Sequence, residues 1–291
     1  MTDHKDLLQD GWRETTKGIN GLSLHIVEAG EPGNPLLILL HGFPEFWWAW
    51  RKQITPLAQA GFHVVVPDMR GYNKSDAPQE VEAYAIDTLA ADVVAIADAF
   101  GAERFHLVGH DWGAVIGWWV AANYAERLNR VVLMDGPHPD VLSKQALRHP
   151  TQALRSSYVA FFQLPWLPEA ALGAFDFKGL RTMMEGSGRS DTFEPGAFDR
   201  YTEAWAHPAS LTAMINYYRA LRTRKANSKP ARGLANPGPV SRKRSGSRTP
   251  CRRSEPGTLR SGAAENHRRR NPLAASRRAG ADQPAHHRLP A

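Results

Sequence analysis

A five-residue turn, Gly109-His110-Asp111-Trp112-Gly113, does more than any other segment to limit what this chain can fold into. It follows the strand-like run Arg104–Val108 and precedes the helix-like run Ala114–Ala121. A strand that passes into a helix through one polar residue flanked by glycines has the pattern of a nucleophile elbow. Glycine lacks the Cβ that would block so sharp a turn, so the central side chain stands clear above a sheet. Here that side chain is a carboxylate. In this position it suits attack on an alkyl carbon through an alkyl-enzyme ester, as distinct from the acyl transfer a serine would perform.

The chain up to Met134 supplies the sheet such an elbow requires. Strand-like segments fall at about Gly11–Thr15, Leu22–Glu28, Pro35–Leu40, His63–Pro67, Arg104–Val108 and Arg130–Met134. The middle ones are unbroken Val, Ile and Leu runs, the composition of strands covered on both faces in a parallel sheet. Helix-like stretches at Phe46–Ala60, Ile86–Phe100 and Ala114–Tyr124 alternate with the later strands. The alternation predicts an α/β fold with a mostly parallel, doubly wound sheet. From about His138 to Arg224 the pattern turns helical and aromatic-rich, with proline-bounded segments, and reads as a helical cap. The expected organisation is a core over 1–137, a cap over 138–225 and a tail over 226–291.

Composition sets the tail apart. Residues 226–291 carry 15 Lys and Arg against 3 Asp and Glu, whereas the preceding residues carry 21 against 26. All 27 aromatic residues precede it, and it has no Ile or Met and a single Val. Such a segment buries too little apolar surface to offset its ordering entropy, so disorder is expected. The clusters Arg242-Lys243-Arg244 and Arg268-Arg269-Arg270 have the charge to hold nucleic acid but lack interleaved aromatics and a recognisable binding module, which makes nucleic acid the weaker reading. The lone cysteine, Cys251, excludes an intrachain disulfide framework. The opening residues hold no apolar signal core and no run of 18 apolar residues occurs, so a cytoplasmic protein without membrane contact is expected.

Four further motifs surround the elbow in a set order. His41-Gly42-Phe43-Pro44-Glu45 follows one strand and Asp68-Met69-Arg70-Gly71-Tyr72-Asn73-Lys74-Ser75-Asp76 follows the next. In the cap region lie Tyr158-Val159-Ala160-Phe161-Phe162-Gln163-Leu164-Pro165 and Asn216-Tyr217-Tyr218-Arg219. Together with the aspartate elbow these closely resemble the α/β-hydrolase family, specifically its epoxide hydrolase branch, over about residues 10–225. Asn73 stands where the family's D-x-R-G-x-G-x-S-D loop has a glycine. The resemblance implies a hydrolase without metal or cofactor that converts a small-molecule epoxide to a diol. Asp111 would attack a ring carbon, and the lid phenols Tyr158 and Tyr218 would donate to the ring oxygen as it becomes an alkoxide. Backbone N–H groups of Phe43 and Trp112 would form the oxyanion hole for hydrolysis of the resulting ester.

Hydrolysis of that ester also needs a histidine base held by a carboxylate. The family takes this histidine from a loop after the last strand, but here the resemblance stops near Leu221–Ala226. His267, His286 and His287 lack a strand-loop-helix context, so the base is unassigned and turnover is expected to be impaired. Reading the gene for residues 271–290 from the second base of each codon permits a text beginning Thr-His-Trp that resembles the family's catalytic-histidine loop and closing helix. This points to a frameshift near residues 222–240.

Asp135 ends the run Val131–Met134, where dehalogenases of the superfamily carry the acid that orients the histidine; its alternative is a loop residue before Gly136-Pro137. His41 reads as a histidine that orients its loop, His106 as packed within a strand, and Trp47, Trp48 and Trp50 as core. Tyr84, Tyr201 and Tyr217 make aromatic packing the alternative for the two lid tyrosines. A haloalkane or haloacetate dehalogenase is the rival enzyme, favoured by Trp112 and Asp135 and opposed by Phe43, whose side chain offers a halide no donor. A non-catalytic protein with a nucleic-acid-binding tail is the rival from another class.

Overall fold

Six strands build one sheet: β1 (Trp12–Ile19), β2 (Leu22–Ala29), β3 (Leu36–Leu40), β4 (His63–Pro67), β5 (Phe105–His110) and β6 (Leu128–Met134). Their order is β1-β2-β4-β3-β5-β6. β2 runs antiparallel to both β1 and β4, while β4, β3, β5 and β6 are mutually parallel. The computed structural model describes residues 7–136, 157–188 and 192–222. The basic tail, the tail histidines, residues 271–290 with their alternative reading frame and the boundaries at 137–138 and 225–226 lie outside the described residues.

Every residue of β3 and β4 is buried, as their continuous apolar runs require. β6 forms one end of the sheet and leaves Val132 and Met134 exposed. β1 continues to Ile19, beyond the expected Thr15, because each residue to that point pairs with β2. Pairing, rather than local propensity, sets its length.

Three helices connect the strands: α1 (Arg51–Gln59), α2 (Ile86–Ala99) and α3 (Trp112–Asn123). The stretch expected as one helix over Phe46–Ala60 is divided, with a 3-10 turn over Trp47–Trp50 leading into α1. The turn directs Trp47, Trp48 and Trp50 into the core. α3 starts at Trp112, two residues before the apolar run, because the Asp111 carbonyl already accepts from the Ala114 and Val115 N–H groups at 2.9 and 3.0 Å.

After β6 come the cap helices α4 (Ser157–Phe161), α5 (Leu167–Ser187), α6 (Ala197–Trp205) and α7 (Ser210–Arg219). α5 is interrupted over Ala174–Phe177, where Phe175, Asp176 and Phe177 have φ of 52°, 56° and 58°. Three hydrogen bonds dock the cap on the loops leaving β3 and β4. The Trp205 indole donates to the Pro44 carbonyl at 2.6 Å, the Tyr217 hydroxyl to the Arg70 carbonyl at 2.8 Å, and the Asn216 amide to the Gln79 carbonyl at 3.3 Å. Within the cap, Arg219 makes two hydrogen bonds to the Glu169 carboxylate, at 2.6 and 3.0 Å, fixing α7 to α5. Among the described residues no helix is long and apolar enough to cross a membrane.

Candidate active site

β3 and β5 lie side by side with Leu40 opposite Gly109, so the loops leaving their carboxyl ends meet. That end of a parallel sheet is where α/β proteins bind ligands. Asp111 leaves β5 at φ 49° and ψ −115°, a region that costs a non-glycine residue about 1–3 kcal/mol. Backbone bonds on both sides hold it there: its N–H donates to the Met134 carbonyl at 3.0 Å, and the Gly113 N–H donates to the His41 carbonyl at 3.1 Å. A Cβ at Gly109 would run into the Gly113 carbonyl, and one at Gly113 into the Leu40 carbonyl. A Cβ at Gly42 would lie 2.5 Å from that of Asp111. Close backbone approach, as much as the turn, demands these glycines.

The Phe43 N–H donates to Asp111 Oδ1 at 2.9 Å, and the Trp112 N–H is a second backbone donor to the same carboxylate. Both amides named from the sequence therefore face the Asp111 carboxyl group. Burial pushes this carboxyl above its ordinary range, against the pull of Phe43, Trp112 and nearby His110 toward the ionised form. A desolvated carboxylate gains by handing its charge to an electrophile.

His41 anchors the loop behind Phe43. Its Nδ1–H donates to the Gly42 carbonyl at 3.0 Å, and its Nε2 accepts the Met69 N–H at 3.1 Å. Complete burial holds the imidazole below its ordinary pKa, which suits this neutral tautomer. Asn73 has φ 46°, the left-handed region that explains a glycine in the family and that asparagine tolerates. Its side-chain amide donates to Asp68 Oδ2 at 2.8 Å, and Asp68 Oδ1 accepts the Trp47 N–H at 2.9 Å. From Asp68 a charge chain runs outward through His25, at 2.7 Å, to Glu14, at 2.6 Å, and on to Lys74.

Sequence reasoning missed one pair beside Asp111. Glu45 Oε2 accepts both the Gly42 N–H at 3.1 Å and His110 Nδ1–H at 3.0 Å. The Glu45 hydrogen bond raises the His110 pKa despite burial. Burial alone would raise Glu45, but His110 and the Gly42 N–H outweigh it and hold the carboxyl low. Both residues sit inside the quoted motifs, yet no local pattern links positions 65 apart.

Tyr158 and Tyr218, the two tyrosines named from the sequence, lie beside the same loops. The Tyr218 ring packs edge-on against Phe43 at 5.3 Å and Trp112 at 5.1 Å, and lies 4.8 Å from Phe162. Tyr158 is 5.7 Å from Tyr218, and their hydroxyls share a hydrogen bond. Tyr218 is 5% exposed and Tyr158 41%. Burial, followed by the Asp111 charge, raises both phenols, which keeps them protonated and able to donate. The expected Asp111, Phe43, Trp112, Tyr158 and Tyr218 thus converge. Asp135 does not join them: its side chain is 88% exposed, its carboxylate lies 3.9 Å from His110 Nε2, and it makes no hydrogen bond among the described residues. His106 is half-buried against Phe62 at 5.3 Å.

The chain matches the family model of the alpha/beta hydrolase fold over residues 35–175. It is 43% identical to the AB hydrolase superfamily protein YfhM of Bacillus subtilis (strain 168), over 76% of this chain and 78% of that protein. It is 41% identical to Epoxide hydrolase 4 of Mus musculus over 69% of this chain, and spans 57% of that relative's length. Among solved structures, the epoxide hydrolase of Bacillus megaterium in complex with an inhibitor superposes with a TM-score of 0.66 at 32% identity, over 71% of each chain.

Proposed function

Because the chain belongs to the α/β-hydrolase family, in its epoxide hydrolase branch, we propose that it opens small epoxides through an ester on Asp111. The reading rests above all on one arrangement: a carboxylate held by the Phe43 N–H at 2.9 Å, with two protonated phenols on the far side of the pocket. An Asp111 oxygen bonds to a ring carbon as the C–O bond of the ring breaks. The ring oxygen takes up its developing charge against the Tyr158 and Tyr218 hydroxyls and leaves the step as a hydroxyl group. Water then adds to the ester carbon, with the oxyanion facing Phe43 and Trp112.

That second step calls for a base, and none of the described histidines has a free path to the role. His41 is committed at both nitrogens, and the Glu45 hydrogen bond raises the His110 pKa, which favours the imidazolium over a neutral base. Loss of a general base slows such a step about 10²–10⁴-fold, so the ester should accumulate. Intact-mass analysis after exposure to styrene oxide tests this. One added epoxide mass on Asp111, absent in Asp111→Ala, is expected. A folded chain that takes up no epoxide overturns the nucleophile, whereas sustained diol production means that residues outside those described supply the base.

The dehalogenase reading fares less well. A halide needs N–H donors, yet the Trp112 indole is bonded to the Tyr218 hydroxyl. Halide release without diol or adduct would reverse that preference. The nucleic-acid reading concerns residues 226–291, and binding that falls steeply with salt and is lost with that segment would support it.

A further inference from the structure

Arg219 ends α7, one residue after Tyr218, and commits every donor it has to the cap. A guanidinium carries five N–H groups in one fixed plane. Nε donates to the Phe162 carbonyl at 3.1 Å. Nη1 donates to Glu169 Oε1 at 2.6 Å and to Asn216 Oδ1 at 3.2 Å. Nη2 donates to Glu169 Oε2 at 3.0 Å and to the Leu164 carbonyl at 2.7 Å. None is left for a substrate.

The Phe162 and Leu164 carbonyls lie just past α4, the helix that carries Tyr158. α4 has five residues, and a helix so short has little stability of its own in water. Carbonyls at a helix end lack partners within the helix, and Arg219 reaches this pair from α7. Gln163 makes a second tie. Its side-chain amide donates to the Tyr218 carbonyl at 2.9 Å and to the Val159 carbonyl at 3.1 Å, which uses both of its N–H groups. The Phe162 N–H donates in turn to the Tyr158 carbonyl at 2.9 Å, so the tied segment and Tyr158 move together. The two phenols differ in what else holds them. Tyr218 is wedged against Phe43, Trp112 and Phe162, whereas the Tyr158 ring meets Phe162 and Tyr218, each at 5.7 Å. The place of Tyr158 therefore depends on the ties from Arg219 and Gln163.

We propose that Arg219 and Gln163 are positioning residues for ring opening, which hold Tyr158 at the distance from Tyr218 where both phenols meet the ring oxygen. The inference rests on Asp111 as nucleophile and on the two phenols as donors. Both residues act through backbone carbonyls and take no part in making or breaking bonds. A lysine at 219 would keep the charge but not the planar fork that spans two carbonyls and a carboxylate at once.

The test is alkylation of Asp111 in the full chain by styrene oxide, followed by intact mass over a range of epoxide concentrations. It yields a limiting rate and a half-saturating concentration. Arg219→Lys and Gln163→Met should each lower the limiting rate about 10–100-fold, the effect of displacing a reacting group by roughly 1 Å, and leave half-saturation unchanged. A displaced donor loses no more than its own contribution. In a Tyr158→Phe background Arg219→Lys should thus slow alkylation no further, a departure from additivity that general loosening of the cap would not produce. Arg127→Lys is the control: its arginine holds Asp98 and the Ala102 and Glu103 carbonyls outside the site, so the variant should melt lower and alkylate at the wild-type rate. Wild-type rates in both Arg219→Lys and Gln163→Met, or losses that add to that of Tyr158→Phe, overturn the inference and leave the nucleophile standing. Tyr158→Phe alkylated at the wild-type rate overturns the role of that phenol and the inference with it. A folded wild-type chain that is not alkylated overturns the nucleophile as well. If Arg219→Lys does not fold, Gln163→Met, which removes no charge, carries the same rate and additivity measurements.

Discussion

The Trp205 indole reaches the Pro44 carbonyl at 2.6 Å, joining the cap helix α6 to the loop that carries Phe43 across 161 positions of sequence. The bond is buried, so its loss leaves a carbonyl without a partner. Trp205→Phe should cost about 1–3 kcal/mol in denaturant unfolding and slow alkylation of Asp111. A variant as stable as the wild type would show that the cap is held by its other contacts alone.

Asp111 is expected to trade stability for reactivity. Its folded pKa lies above the ordinary 3.8, mainly through burial, so the protonated form favours the folded state. That contribution is fully present below about pH 3.8 and is lost as pH rises through the folded value. Asp111→Asn stays neutral and tolerates φ 49°, so it should melt above the wild type near pH 7, with the gap closing toward pH 4. The same variant should form no adduct. Equal melting at pH 7 would mean the buried charge is better compensated than its surroundings indicate.

His25 gives the opposite slope. Burial alone would lower its pKa, but Asp68 and Glu14 outweigh it and hold the imidazole above its ordinary 6.5. Its contribution is complete below about pH 6.5 and is lost as pH rises through the folded value. Melting temperature should therefore decline on the alkaline side of neutrality. His25→Gln should flatten that decline and lower stability by about 3–5 kcal/mol, the usual effect of breaking a buried ion pair. A wild-type melting temperature level from pH 6 to 9 would contradict this.

β6 ends the sheet with Val132 51% exposed. An apolar strand edge recruits other chains, and an edge lysine discourages that. Val132→Lys should reduce light scattering of concentrated solutions while changing unfolding free energy by no more than about 0.5 kcal/mol. Scattering unaffected by the lysine would locate self-association elsewhere.

What the sequence discloses depends on whether a signal is contiguous. The elbow, His41–Glu45 and Asp68–Asp76 are each unbroken in the chain, and from them the sheet, the turn and the residues facing Asp111 could be anticipated. Tyr158 and Tyr218 read alike, yet packing of Tyr218 against Phe43 and Trp112 buries one and leaves the other exposed. The His110–Glu45 pair had no such signature. It depends on which side chains meet across the sheet, and hydrophobic periodicity carries no record of that. For Asp135 the position after β6 was legible, but the outward direction of its carboxylate was not, because φ 52° turns the chain there.

Gly42, Gly109 and Gly113 leave the floor of this pocket without space for one added methyl group. Directed evolution of substrate range would thus meet a fixed half and a permissive half. Libraries that vary the floor will return mostly misfolded clones. Diversity placed at the exposed cap residues Leu164 and Trp166, which are 43% and 72% exposed, leaves Asp111 and the Tyr158–Tyr218 pair untouched.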